Sequence, residues 1–213
     1  MISITPEIVV RAYASGVFPM AKSHDDPRLY WIDPENRGIL PLDGLHVSRS
    51  MRKVLRRGLY DVSIDRAFVE VIKQCAAPVP GREETWINPE IEQLFTDLFD
   101  LGLAHSVECW DGDQLVGGLY GLALGGAFFG ESMFSRRDNA SKVAACHLVA
   151  RLKKGGFRLL DTQFTTKHLC SLGALEIPRY DYQRRLSEAL KVHGNFLVEP
   201  PDVLAELDHK VGW

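Results

Sequence analysis

The chain has 213 residues, 46% of them hydrophobic and 25% charged, with a formal charge of −3; this suffices for one medium domain, or a domain with a small lobe, and excludes a protein that coats nucleic acid by bulk charge. No apolar stretch free of charge reaches the length of a membrane span, and the opening MISITPEIVVRAY lacks the basic and apolar regions of a secretory signal, so a cytoplasmic protein with no membrane partner is expected. Cys75, Cys109, Cys146 and Cys170 are irregularly spaced, with no CxxC pair and no histidine at zinc-like spacing, which predicts reduced thiols, no disulfide framework and no metal.

Residues Thr5 to Ser15 read as a helix, with Thr5 as N-cap, Pro6 at the first helical position and Gly16 past the end. Residues 17–46, broken by Pro19, Pro27, Pro34 and Pro41, hold only short strands such as Leu29 to Ile32 and Gly38 to Leu40. The expected division is a small N-terminal lobe, 1–36, closing over a larger domain, 37–213. Ser48 to Arg57 (SRSMRKVLRR) is the one concentrated basic segment. Its Arg49, Arg52, Lys53, Arg56 and Arg57 recur at helical spacing while Met51, Val54 and Leu55 can face inward. Such a run is either a solvated helix face or a local site for a polyanion. A helix from Asp65 to Ala76, a polar loop through Pro78, Pro80 and Gly81 to Trp86, and a helix started by Asn88 and Pro89 and running to about Leu101 follow. The last carries Ile91, Leu94, Phe95 and Leu98 at a core-facing period.

From Ala104 the period becomes that of strands: AHSVECW, QLVGGLYGLAL and AFFGESMF, joined by tight Asp/Gly connections, predict an antiparallel meander. A helix from Ala140 to Lys154 ends at Gly155-Gly156; Phe157 to Gln163 reads as a strand, Lys167 to Leu172 as a short helix and Tyr182 to His193 as the last helix. The expected class is α+β, a mixed sheet flanked by helices. The order of elements is similar, by analogy, to that of the acetyl-CoA-dependent N-acetyltransferases, which does not fix a function.

Chemistry concentrates in two places. Between Leu115 and Lys142, Gly117, Gly118, Gly121, Gly125 and Gly126 interrupt an apolar run that leads to Glu131. Glycine inside a strand marks a bulge or a close approach, and a carboxylate in an apolar strand needs a partner. Strand alternation places Phe129, Glu131 and Met133 on one face, and Glu131 is either paired with a core arginine or faces a ligand. Asp161 and Gln163 stand two positions apart at a strand end and by the same alternation share a face. They are either a strand-end cap and a sheet-edge amide or a reaction centre. Phe128, Leu119, Leu148 and Leu160 can line an apolar pocket or be plain core. Trp31 and Trp86 are loop aromatics that stack on a base or lid the core. His105 and His147, with no evident charged partner, are read as structural.

The words GGLYG, FFGESMF and ASK, with Ala12-Tyr13, Phe18-Pro19, the Trp31 to Pro41 loop, His46 to Arg52, Thr85-Trp86-Ile87, AHSVE, DTQ, SLGA and IPR, cover nearly the whole chain. Together they resemble the leucyl/phenylalanyl-tRNA–protein transferases, which move an amino acid from aminoacyl-tRNA to a protein N-terminus. The resemblance implies no cofactor, and as partners Leu-, Phe- or Met-charged tRNA and proteins beginning with Arg or Lys, which become N-degron substrates. It implies Asp161, Gln163 and Glu131 as catalytic residues. Trp86, Phe128, Leu119, Leu148, Leu160 and Met133 would bind substrate, and Arg49, Arg52, Lys53 and Arg56 would hold tRNA. In this picture Gln163 aims the amine and Asp161 orients Gln163 and helps accept the proton; transfer of the proton straight to the leaving ribose hydroxyl is equally open. Met20 stands where the family usually has Trp, and Phe95 where Tyr is common. An acetyl-CoA enzyme competes, but the turn before the helix at Ala140 reads SRRDNAS, without the glycines that cradle a pyrophosphate. A non-catalytic tRNA-binding module is the other competitor.

Overall fold

A computed structural model of the chain describes residues 4–79 and 83–210. The Thr5 hydroxyl accepts from the Ile8 N–H and Pro6 fills the first turn, so α1 (Pro6–Ala14) begins where its capping residues dictate. After Gly16, at φ 85°, the chain forms β1 (Phe18–Met20), which pairs antiparallel with β2 (Tyr30–Ile32) in a ribbon of its own. β3 (Asn36–Ile39) then enters the main sheet.

The basic segment is the helix α2 (Arg49–Arg57), capped by the Ser48 hydroxyl on the Met51 N–H at 3.1 Å and closed by left-handed Gly58. Met51 is buried, with Val54 and Leu55 packed beside it, as the spacing predicts. β4 (Asp61–Ile64) follows, then α3 (Phe68–Ala76) and α4 (Pro89–Asp100). The meander is β5 (Ala104–Asp111), β6 (Gln114–Leu124) and β7 (Ala127–Ser135). α5 (Ala140–Lys154) crosses over to β8 (Leu159–Gln163), which lies parallel to β7, and α6 (Lys167–Ser171), β9 (Leu175–Pro178), α7 (Arg179–Leu190) and α8 (Val203–Asp208) complete the chain.

The seven-stranded sheet has the order β4-β5-β6-β7-β8-β3-β9 and is mixed, β7–β8 being its parallel pair. Helices cover both faces. On one, Tyr13 of α1, Phe68 of α3, Phe95 of α4 and Tyr182 of α7 bury Tyr120, Leu122 and Phe129 of the sheet. On the other, α5, Met51 of α2 and the segment around Phe196 bury Val107, Leu119, Phe128 and Leu160.

Three elements escape the hydrophobic pattern. β4 and β9 have four residues each and α8 six, too short for a period to register, and each gains its place by docking on a longer neighbour: β5, β3 and α5 respectively. α3 starts at Phe68 rather than Asp65, because Asp65 takes φ 58° and turns its carboxylate to the Ser106 N–H and to His105 Nδ1, 2.7 Å away from each. His105 therefore has a charged partner, and its ring stacks on Phe196 with centroids 4.2 Å apart. α7 begins at Arg179, before the expected Tyr182, directly after Pro178.

Candidate active site

The glycines of the central segment serve close approaches. A Cβ on Gly117 would stand 2.5 Å from the Ala140 Cβ at the start of α5, and one on Gly121 would stand 2.2 Å from the Phe129 carbonyl. Opposite Gly121 the register slips: Tyr120 pairs with Ser132 and Gly121 with Gly130, which leaves Glu131 as the extra residue of a β-bulge. The bulge reverses the alternation. Phe129 lies on the face of α1 and α7, whereas Met133 lies on the face of α5, so the expected common face of Phe129, Glu131 and Met133 does not form.

β7 and β8 pair through Ala127↔Leu159, Phe128↔Leu160 and Phe129↔Asp161, and then separate, although β7 runs to Ser135 and β8 to Gln163. The opening is a cavity of about 280 Å³, and Gln163 Nε2 donates across it to Glu131 Oε1 at 3.2 Å. Leu119, Met133, Leu148 and Leu160 supply its apolar wall. Trp86, Phe18 and Met20 border it from the loop before α4 and from the N-terminal ribbon, and Phe164, Thr166 and His168 from the segment after β8. Of the residues singled out in the sequence, Glu131, Gln163, Trp86, Leu119, Met133, Leu148 and Leu160 thus meet in one cavity.

Asp161 and Phe128 do not line it. Asp161 is fully buried: Arg37 Nη2 donates to Oδ2 at 2.7 Å and Nε to Oδ1 at 3.0 Å, the Tyr182 hydroxyl donates to Oδ2 at 2.6 Å, and the Gln163 N–H donates to Oδ1 at 2.8 Å. The shared face expected from alternation is broken because Gln163 takes φ 55°, a left-handed conformation that costs roughly 1–2 kcal/mol in a non-glycine residue and is held here by the Asp161 carboxylate on its own N–H. Phe128 belongs to the second core, its ring stacked on Phe196 at 5.3 Å.

Arg37 and Tyr182 were legible in the sequence only as surface types. Arg37 is 1% exposed, its Nη1 donates to the Gly16 carbonyl at 2.9 Å, and its guanidinium lies between the rings of Phe18 and Tyr182. Burial lowers its affinity for a proton, but Asp161 outweighs that and the guanidinium stays charged. Burial, then the Asp161 charge, pushes the Tyr182 hydroxyl up. The position of Arg37 before an apolar strand was the only available hint.

Glu131 is partly open to the cavity and otherwise enclosed by protein. Burial first, and the Asp161 charge after it, push its carboxyl up to about 8, against the Tyr13 hydroxyl, Arg37 and the Gln163 amide, which favour ionisation. The Tyr13 and Tyr120 hydroxyls, both buried, complete no hydrogen bond of good geometry. Their own ionisation is pushed well up by burial and by the nearby Glu131.

On α2, Arg49, Lys53 and Arg56 are exposed, whereas Arg52 forms a two-pronged pair with Asp208 of α8, at 2.8 and 3.2 Å. Among the described residues no cluster of three or more His, Cys, Asp or Glu side chains is arranged to hold a metal ion, and no helix is long and apolar enough to cross a membrane.

Residues 39–187 match a family described as leucyl/phenylalanyl-tRNA protein transferase, and residues 3–35 match the N-terminal domain of the same family. The chain is 77% identical over 213 residues to a leucyl/phenylalanyl-tRNA–protein transferase of Rhodospirillum rubrum, covering all of both chains. A protein of the same name from Afipia carboxidovorans is 57% identical over 93% of this chain and 88% of its own, and one from Paramagnetospirillum magneticum 62% over 88% and 90%. Among solved structures, L-PGS from Bacillus licheniformis superposes with a TM-score of 0.42 at 14% identity, covering 63% of this chain and 49% of that one.

Proposed function

The chain belongs to the leucyl/phenylalanyl-tRNA–protein transferase family, and from that premise we propose that it moves Leu or Phe, and Met less well, from aminoacyl-tRNA to the α-amine of proteins that begin with Arg or Lys. The observation that carries this reading is the placement of Gln163 and Glu131 at the edge of a cavity walled by Leu119, Met133, Leu148 and Leu160. The donor's apolar side chain enters that wall. Its ester carbonyl then faces Gln163, whose amide donates to Glu131 and so keeps its carbonyl oxygen free to accept from the incoming amine.

The ester is already activated, so no nucleophilic side chain is needed. The amine attacks the carbonyl carbon, a C–N bond forms, and the ribose oxygen leaves with a proton. Asp161 acts as a positioning residue: by accepting from the Gln163 N–H it holds the residue in the conformation that points its amide at the cavity. Phe18 and Met20, on the N-terminal side of the cavity, and Trp86 close over the donor. The exposed cations of α2 hold the acceptor stem through its phosphates, which positions without reading sequence.

The reaction belongs in the cytoplasm, where charged tRNA is available, and its products are N-degron substrates. The parallel β7–α5–β8 unit with strands that separate at the site also supports an acetyltransferase-like ancestry for residues 37–213, with 1–36 as the lobe that closes the site. The deciding experiment incubates the protein with Leu-tRNA and an Arg-initiated peptide and weighs the peptide. A gain of one leucine is expected, with Ile and Val donors disfavoured by graded factors because one methylene is worth only ~1–3 kcal/mol. Modification from acetyl-CoA with none from aminoacyl-tRNA overturns the reading.

A further inference from the structure

We propose that Glu131, and not Asp161, takes the proton from the acceptor's α-ammonium group before the amine attacks, an inference that rests on the transferase reading above. The first ground is accessibility. Asp161 is fully buried, does not line the cavity, and is occupied by Arg37, the Tyr182 hydroxyl and the Gln163 N–H. A proton delivered to it would have to break the pair with a fully buried arginine. Glu131 lines the cavity, and its Oε1 is held by the same Gln163 side chain that aims the amine.

The second ground is the surroundings of Glu131, taken from every element packed against it. From α1 comes the Tyr13 hydroxyl, from β6 the Tyr120 hydroxyl, from β3 the Arg37 guanidinium, and from β8 the Asp161 carboxylate and the Gln163 amide. Asp161 opposes ionisation of Glu131 and Arg37 favours it, while the Tyr13 hydroxyl and the Gln163 amide act directly on the carboxyl and favour the ionised form. The Tyr13 hydroxyl, buried and short of a hydrogen bond of good geometry, already stands toward the Glu131 carboxyl and favours its ionised form, while the buried Tyr120 hydroxyl feels the same charge. The elevation of the Glu131 carboxyl to about 8 brings it close to a free α-amine, at roughly 7.7–8.0, so that the proton transfer is nearly thermoneutral.

Atoms and charge balance at each stage. The Glu131 carboxylate accepts one proton from R–NH3+, giving R–NH2 and the carboxylic acid. The nitrogen lone pair then forms the C–N bond at the ester carbon, the C–O bond to ribose breaks, and the ribose oxygen takes the second nitrogen proton. Glu131 returns its proton to water once the product leaves. Gln163 handles no proton, consistent with the chemistry of an amide.

The test is single-turnover transfer of Leu to an Arg-initiated peptide by rapid quench between pH 6.5 and 9.5, with wild type and Glu131→Gln. The expected result is a deficit of roughly 10²-fold in Glu131→Gln at pH 7 that shrinks to less than about tenfold at pH 9.5, where the amine is free without help. A deficit that does not change with pH overturns the proposal and makes Glu131 a positioning group. Absence of wild-type transfer overturns the transferase reading itself. Independently of turnover, a carbon-13 titration of Glu side-chain carboxyls is expected to show one group titrating near 8 that is lost in Glu131→Gln, or is displaced in Gln163→Ala if Glu131→Gln does not fold. Titration of that group in the ordinary carboxyl range overturns the proposal.

Discussion

Truncating Gln163 removes the amide that aims the amine in the proposed reaction, while its neighbour Asp161 is paired with Arg37 in the interior. Gln163→Ala is therefore expected to lower single-turnover transfer by about 10²-fold with little loss of stability. Asp161→Ala, in contrast, strands the Arg37 guanidinium without its counter-ion in a fully buried site and is expected to cost about 3–5 kcal/mol, read by denaturant unfolding. Equal stability of the two variants would show that the Arg37–Asp161 pair is not what holds this part of the sheet. At the thiols, burial pushes Cys109 and Cys146 up to about 12, Cys75 is also buried, and Cys170 is exposed. Mass spectrometry after brief alkylation of the native protein should find label on Cys170, with the other three modified only on unfolding.

At the scale of elements, α2 presents Arg49, Lys53 and Arg56 outward, while Arg52 is drawn into the pair with Asp208 of α8. Replacing Arg49, Lys53 and Arg56 by alanine is expected to weaken binding to all charged tRNAs alike and to flatten the salt dependence by roughly 0.7–0.9 log units of slope for each phosphate that is no longer neutralised. Transfer from an aminoacyl-adenosine donor, which has no stem, should be spared. An unchanged slope would make α2 a solvated face only. Asp208→Ala should move the slope the other way by releasing Arg52, since an exposed pair of this kind contributes little to stability.

For the whole molecule, the elevation of Glu131 links folding to pH. The folded state keeps that proton to about 8, whereas the unfolded chain releases it near 4.5, so between those values the native state binds more protons than the unfolded one. Stability from this group is therefore present at the acid end of the window and declines as pH rises through it. Urea unfolding of wild type and Glu131→Gln at pH 5 and pH 8 should show a smaller decline in the variant. An identical decline in both would place the Glu131 titration in the ordinary carboxyl range.

The sequence by itself determined the helix cap at Thr5, the three-stranded meander, the inward face of α2 and the words that mark the family, because each is written in neighbouring residues or in a short period. It also singled out Glu131 as a carboxylate in a costly place and Gln163, with Asp161, at a strand end. Tertiary structure alone decided where those groups stand and what they touch. Alternation cannot foresee a bulge that sets Glu131 out of register or a left-handed Gln163, since both are imposed by partners on other strands. Arg37 and Asp161 are 124 positions apart, and no local pattern distinguishes a buried arginine from a solvated one. Their pairing appears only when β3 is laid beside β8. That long-range pairing removes Asp161 from the cavity and leaves Glu131 as the carboxyl that faces it.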